Sequence, residues 1–294
     1  MSRAAIAALL WVLPVFGQEP FDPQALMQVQ RISDPQLSPD GKTVAFVVQR
    51  VDLENNRRPV QIYTVPLGLG QPRQITQEGE TNERPRWSPD SKQIAFVSDR
   101  SGTPQIWLMN ADGSNPRQLT RISTGASGVL FSPDGKRLVF TSEVYPDCPD
   151  DACNQRRLEE EKASKIRARV YDSLLYRHWN RWRTARRKHL FVVQADGSGL
   201  RDLTPGNRDV PPFSLGGPDD YDISPDGQEV CFVMNADPEP AASTNSDLYV
   251  VPITGGDPVK VTVNPGADQS PKYSPDGRFL AYRTQLRAGY ESDR

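Results

Sequence analysis

The chain of 294 residues is poor in the side chains that most often carry chemistry: three cysteines, two histidines and four methionines. It contains no Gly-x-Ser-x-Gly nucleophile elbow and no His-Gly-Gly oxyanion motif, the sequence marks of an α/β-hydrolase site. It also has no phosphate-binding glycine loop and no His, Cys or carboxylate set at metal-ligand spacing, so neither a cofactor nor a metal is implied. Net charge is −2, which removes any electrostatic case for nucleic acid. Beyond residue 16 there is no hydrophobic run of membrane-spanning length. Proline and glycine, by contrast, are plentiful, at 27 and 21 residues. Such a density suits many short elements joined by tight turns and excludes a long helical domain.

The amino terminus has the layout of an export signal. Arg3 supplies the positive flank, and Ala4 to Phe16 form an apolar run broken by Pro14. Val15-Phe16-Gly17 then places small residues three and one positions before a cleavage point at Gln18. Residues 1–17 are therefore expected to be removed, leaving 18–294 in the periplasm or outside the cell with no membrane span; a buried amino-terminal helix is the competing reading. Cys148 and Cys153 bracket a short acidic loop and can close a disulfide in an oxidising compartment. A zinc site at these two cysteines would need ligands that the spacing does not supply.

One tetrapeptide organises everything else. Ser-Pro-Asp-Gly begins at Ser38, Ser132, Ser224 and Ser274, with Ser-Pro-Asp-Ser at Ser88, at intervals of 50, 44, 92 and 50 residues. It has the chemistry of a turn, with Pro fixing φ, Asp accepting backbone hydrogen bonds and Gly taking the left-handed conformation. An apolar residue precedes each copy (Leu37, Trp87, Phe131, Ile223, Tyr273), and an apolar triplet begins six residues after each Ser. The middle of the triplet is small: Ala45, Ala95, Val139, Cys231 and Ala281. Cys231 thus reads as packing in a crowded strand. Further strands at Ile62, Ile106, Leu190 and Leu248 each start fourteen residues before a threonine: Thr76, Thr120, Thr204 and Thr262. Each repeat is then four short antiparallel strands, and repeats of this length and register form the blades of a β-propeller.

These Ser-Pro-Asp-Gly blades resemble the repeats of TolB-like proteins and of the propeller in the prolyl oligopeptidase family of serine peptidases. Several longer stretches look closer to the dipeptidyl-peptidase 5 and acylaminoacyl-peptidase branch of that family. They are Ala168-Arg169-Val170-Tyr171-Asp172, Arg177-His178-Trp179, Lys188-His189-Leu190-Phe191-Val192, the run from Pro211 to Tyr221, and Ser243 to Tyr249. The resemblance implies an exported exopeptidase acting on short peptides. Its α/β-hydrolase domain, with the Ser-Asp-His triad, would lie outside this chain, and the propeller would gate access. A TolB-like propeller that binds partner proteins without catalysis is the alternative.

The doubled interval locates an insertion. Ser132 to Leu190 is 58 residues, against 18 or 24 for the same span in other blades. The excess falls at about 143–187, within the third blade. It holds the cysteine pair and then Arg156 to Trp182, which lacks Gly and Pro. Leu158, Ile166, Val170 and Leu174 recur at multiples of four, predicting a helix with one apolar stripe. Both histidines, His178 and His189, are read as belonging to this arm, so no catalytic triad is available from the blades. The arm either packs its stripe on the propeller or lines a route to a partner domain's active site, with Tyr176, Arg177, His178 and Trp179 touching substrate. Glu159-Glu160-Glu161 is expected near the helix start, where carboxylates favour the macrodipole. In some dipeptidyl peptidases of the resembled family a glutamate pair on a helical insertion instead holds the substrate's amino terminus.

The fifth hairpin begins at Ser274, so its next outer strand is due eighteen or twenty-four residues on, at 292 or 298. Four complete blades and part of a fifth, in an incomplete ring, are the expectation, with no catalysis by the chain alone.

Overall fold

The computed structural model describes residues 21–68, 70–166, 168–171, 174–213, 217 and 220–289. The export signal read at 1–17 lies outside these residues, as do Asp172 and parts of the Pro211 to Tyr221 run.

Four consecutive four-stranded antiparallel sheets and a two-stranded fifth follow one another along the chain, so the architecture is a β-propeller built blade by blade. Blade 1 comprises Arg31–Leu37, Thr43–Gln49, Val60–Pro66 and Arg73–Gln74; blade 2 comprises Asn82–Trp87, Gln93–Ser98, Gln105–Asn110 and Arg117–Gln118. Blade 3 joins Ser127–Phe131, Arg137–Val144, Arg187–Gln194 and Arg201–Asp202. Blade 4 joins Tyr221–Ile223, Glu229–Met234, Asp247–Pro252 and Val259–Lys260, and blade 5 pairs Asp268–Tyr273 with Leu280–Thr284. A short helix, α1 (Pro23–Gln28), precedes blade 1 and is capped by Asp22.

The repeated tetrapeptide is a hydrogen-bonded clasp. Each serine Oγ donates to the aspartate two residues on, at 2.6 or 2.7 Å, in all five copies. The same Oγ accepts the backbone N–H five residues on, from Thr43, Gln93, Arg137, Glu229 and Phe279. That donation holds the carboxyls of Asp40, Asp90, Asp134, Asp226 and Asp276 below the usual aspartate range. The turn glycine has φ near +70°, and Ser91 adopts φ 61° in the one copy without glycine. Turns of successive blades stack: a Cβ on Gly135, Gly227 or Gly277 would meet the turn proline of the preceding blade.

Packing between blades supplies the core. Alternate strand residues face the neighbouring sheet, as in the cluster of Ala95, Ile106 and Leu108 with Leu138, Phe140 and Val193 across blades 2 and 3. The small triplet centres Ala45, Ala95, Val139 and Cys231 are fully buried. Burial pushes the Cys231 thiol up to about 12, so it packs and does not react. Ala281 differs: it is exposed, because among the described residues no third strand covers that side of blade 5.

The fourteen-residue spacing to threonine has a physical basis. Oγ1 of Thr76, Thr120, Thr204 and Thr262 accepts the N–H of Ile62, Ile106, Leu190 and Leu248 at 2.8 to 2.9 Å. Each bond ties the outermost strand to the third strand of its own blade at a buried N–H. Thr120→Val keeps the shape and leaves the Ile106 N–H without an acceptor. It should cost about 2 kcal/mol, read as a lower urea midpoint at constant m-value; an unmoved midpoint would show that the bond contributes nothing.

Candidate functional site

Between Val144 and Arg187 the chain leaves blade 3 and returns to it. Tyr145, almost fully buried, starts the excursion, and its N–H donates to Asn154 Oδ1 at 2.9 Å. Cys148 and Cys153 are joined in a disulfide. Asp150 caps helix α2 (Asp151–Ala163) by accepting the Cys153 N–H. Asp151 binds the N–H and hydroxyl of Ser123, which pins the helix start to the loop between blades 2 and 3. Arg157 pairs with Asp147 at 2.5 Å and stacks over the Tyr145 ring.

The helix therefore lies further toward the amino terminus than its sequence pattern predicts, and ends at Ala163, not Trp182. The apolar stripe does not exist as a packed face: Ile166, Val170 and Leu174 are all exposed, Val170 at 93%. Lys162, Lys165 and Arg169 stand three and four residues apart, so a continued helix would stack like charges. An aromatic cluster wins instead. Tyr171, Tyr176 and Trp182 have ring centroids 5.4 to 6.2 Å apart, with the Arg169 and Arg177 guanidiniums over Trp182.

Glu159, Glu160 and Glu161 are likewise displaced from their expected place. They occupy the carboxy-terminal part of α2, where Ser164 N–H closes the last turn on Glu160 O. Carboxylates there oppose the helix dipole, so helix-start stabilisation does not account for them.

The four residues expected to touch substrate fall on or beside one small hairpin, in which Arg177–His178 pairs with Arg181–Trp182. Tyr176 and Arg177 join the aromatic cluster. His178 and Trp179 meet edge to face at the hairpin tip, and Trp179 is 84% exposed with φ 51°. The other histidine is not part of this arm. His189 is buried in the strand Arg187–Gln194, with Nδ1 2.6 Å from Asp202 Oδ2 and Nε2 2.8 Å from the Gly206 carbonyl oxygen. Both ring nitrogens are committed to structure.

A cleft of about 610 Å³ opens between the end of α2 and the returning chain. Its charged lining is Glu161, Arg169, Arg183 and Arg187, with Tyr171 and Val170 beside them. Arg183 is anchored by Asp209 at 3.0 Å, and its backbone oxygen accepts the Tyr171 hydroxyl. Burial and the neighbouring Arg183 charge hold Arg187 below its usual pKa. The cleft thus offers three guanidinium groups against one carboxylate, with the Tyr171 ring beside them, a surface suited to carboxylates and carbonyl oxygens. Arg183 and Arg187 were not singled out by the sequence, and Tyr171, Trp182 and Glu161 stood out only within longer stretches; the spacing of Tyr171, Tyr176 and Trp182 was the available signal. Among the described residues no three His, Cys, Asp or Glu side chains converge on a metal-binding group, and no helix is long and apolar enough to cross a membrane.

The TolB beta propeller domain family matches residues 27–151. Over an alignment 314 positions long the chain is 34% identical to Dipeptidyl-peptidase 5 of Porphyromonas gingivalis, taking in 100% of this chain and 43% of that protein. The blades of this chain over residues 27–151 are TolB-type, and along its whole length the chain is similar to part of Dipeptidyl-peptidase 5. It spans less than half the length of the curated relatives it matches, at 43% and 39% for those of Porphyromonas gingivalis and Porphyromonas endodontalis. The acylaminoacyl peptidase of Pyrococcus horikoshii superposes with a TM-score of 0.56 at 17% identity, over 83% of this chain and 34% of that one. TolB from Acinetobacter baumannii superposes with a TM-score of 0.50 at 21% identity, over 85% and 48%. Both share the propeller fold.

Because the aromatic cluster ties Tyr171 to Tyr176 and Trp182, Trp182→Ala should loosen the arm and leave the blades intact. Trypsin should then cut within this Arg-rich segment about tenfold faster, at an unchanged urea midpoint. Equal cleavage rates would show that the cluster does not hold the arm.

Proposed function

We propose that this chain is the substrate-gating propeller of an exported serine exopeptidase that acts on short peptides. The observation that carries this reading is the 34% identity to Dipeptidyl-peptidase 5 along the whole chain, insertion included. In this reading the rest of the protein supplies an α/β-hydrolase domain with the serine nucleophile, and the propeller excludes folded proteins while admitting peptides. The inserted arm of blade 3 is the part that meets substrate, through Tyr176, Arg177, His178 and Trp179 on the hairpin and the arginine-rich cleft behind it. Removal of residues 1–17 delivers the protein to the periplasm or the exterior, where the Cys148–Cys153 disulfide persists.

The second reading is a non-catalytic propeller that binds proteins. It is favoured by the match of residues 27–151 to the TolB beta propeller domain and by the shared fold with TolB.

The full-length gene product decides between them. Under the peptidase reading it hydrolyses dipeptidyl or acylaminoacyl chromogenic substrates and loses activity to a serine-directed fluorophosphonate; silence in both assays returns the chain to the binding class. Trp179→Ala, exposed and at the hairpin tip, should raise KM about tenfold with kcat little changed, as expected when ground-state binding is lost. An unaltered KM would remove the hairpin from the substrate path.

A further inference from the structure

The seam between blades 4 and 5 buries two carboxylates, whereas the seam between blades 1 and 2 buries the ion pair of Arg86 with Asp34. Asp247 opens the third strand of blade 4, and Asp268 opens the first strand of blade 5, twenty-one residues later. The two strand starts touch: Asp268 N–H donates to Ser246 O at 2.7 Å, and Ser246 Oγ to Asp268 O. Asp247 is 2% exposed and Asp268 0%.

The same register in blades 1 and 2 pairs Gln61 with Asn82, also twenty-one residues apart. There the amides satisfy each other. Asn82 Nδ2 donates to Gln61 Oε1 at 3.0 Å, and Arg100 donates to Asn82 Oδ1 at 3.0 Å. At the next seam the positions are Gln105 and Ala126, and the Gln105 amide is again fully used, by Thr120 Oγ1 and the backbone of Ile122. The third seam has His189 and Val210 there, so among the described residues only the seam between blades 4 and 5 places two acids at these positions.

Their oxygens are not satisfied within the chain. Lys260 reaches Asp247 Oδ2 at 2.7 Å. Asp247 Oδ1, both carboxylate oxygens of Asp268 and Asn245 Oδ1 are buried with no hydrogen-bond donor. Asp237, close by, adds a further negative charge and is committed to the Ser243 hydroxyl. Four buried acceptor oxygens, on two carboxylates that share one ammonium and on an amide, exceed what one trapped water satisfies, since it has two protons to donate and no charge. Buried carboxylates of this kind are retained when a cation compensates them.

We propose that this seam is a binding site for a hard divalent cation, calcium by preference, held by Asp247, Asp268 and the Asn245 amide oxygen. The ligand set is all oxygen, which selects calcium or magnesium over zinc and copper. Three side chains from two blades, with water completing the shell, suit the loose geometry of calcium better than the strict octahedron of magnesium. The ion clamps blade 5 to blade 4, where the apolar contact is small and centred on Cys231, Val233 and Leu248. The inference is independent of the peptidase reading, because it concerns only the folded blades.

The test uses the full-length gene product stripped with EDTA and titrated with CaCl2 or MgCl2, followed by calorimetry and thermal melting. One calcium should bind per chain, and 1 mM CaCl2 should raise Tm by about 3 °C, with a smaller rise for MgCl2. The double substitution Asp247→Gln with Asp268→Asn copies the neutral pair of the first seam, and should melt cooperatively with no calcium response. Asp268→Asn alone should weaken calcium binding at least about tenfold, which keeps the test decisive if the double variant does not fold. A flat titration with an unmoved Tm in the parent overturns the proposal, leaving the seam to a shared proton or to an arginine from elsewhere in the protein. A calcium response that survives Asp268→Asn undiminished overturns it as well.

Discussion

Every blade depends on one serine hydroxyl. It donates to the aspartate two residues ahead and accepts the backbone N–H five residues ahead, in Ser38, Ser88, Ser132, Ser224 and Ser274 alike. A hairpin closed in this way has no freedom of register, so the apolar triplet after each turn falls on the face that meets the next blade. The threonine bond fourteen residues downstream of the third strand's first apolar residue then fixes the outermost strand. Local hydrogen bonding thus aligns each sheet, and inter-blade burial of Ile, Leu, Val and Phe follows from that alignment.

A rigid, repeating scaffold lets the chain carry segments that obey none of its rules. The excursion in blade 3 starts and ends on paired strands, Arg137–Val144 and Arg187–Gln194, so its length costs the sheet nothing. Its own order comes from a disulfide, a capped helix, a clamp to Ser123 and a small aromatic cluster. The arginine-rich cleft is a product of that order. The seam between blades 4 and 5 shows the same freedom on a smaller scale, since the position that holds Gln61 in blade 1 holds Asp247 in blade 4 with no change in strand geometry.

Much of this was legible in the sequence because turns and strand registers are local. The Ser-Pro-Asp turns, the small triplet centres and the threonine spacing all depend on residues within about twenty positions of one another. The arm was not legible in the same way. A window without Gly or Pro and with apolar residues at multiples of four reads as a helix, yet Tyr171, Tyr176 and Trp182 hold it irregular across a span that no periodicity registers. Glu159 to Glu161 were misplaced for the same reason: a shift of five residues in the helix start turns an amino-terminal carboxylate cluster into a carboxy-terminal one.

The blade could be read from the residues alone: its strand count, its turn chemistry and the place where an insertion interrupts it. Long-range packing chose which residues of that insertion share a cleft, placed His189 in the core, and buried Asp247 and Asp268 at adjoining strand starts of blades 4 and 5. The physical reason is distance along the chain. Hydrogen bonds inside a turn are written into a tetrapeptide, whereas aromatic stacking over eleven residues and the meeting of two strand starts over twenty-one depend on where intervening strands have already been placed.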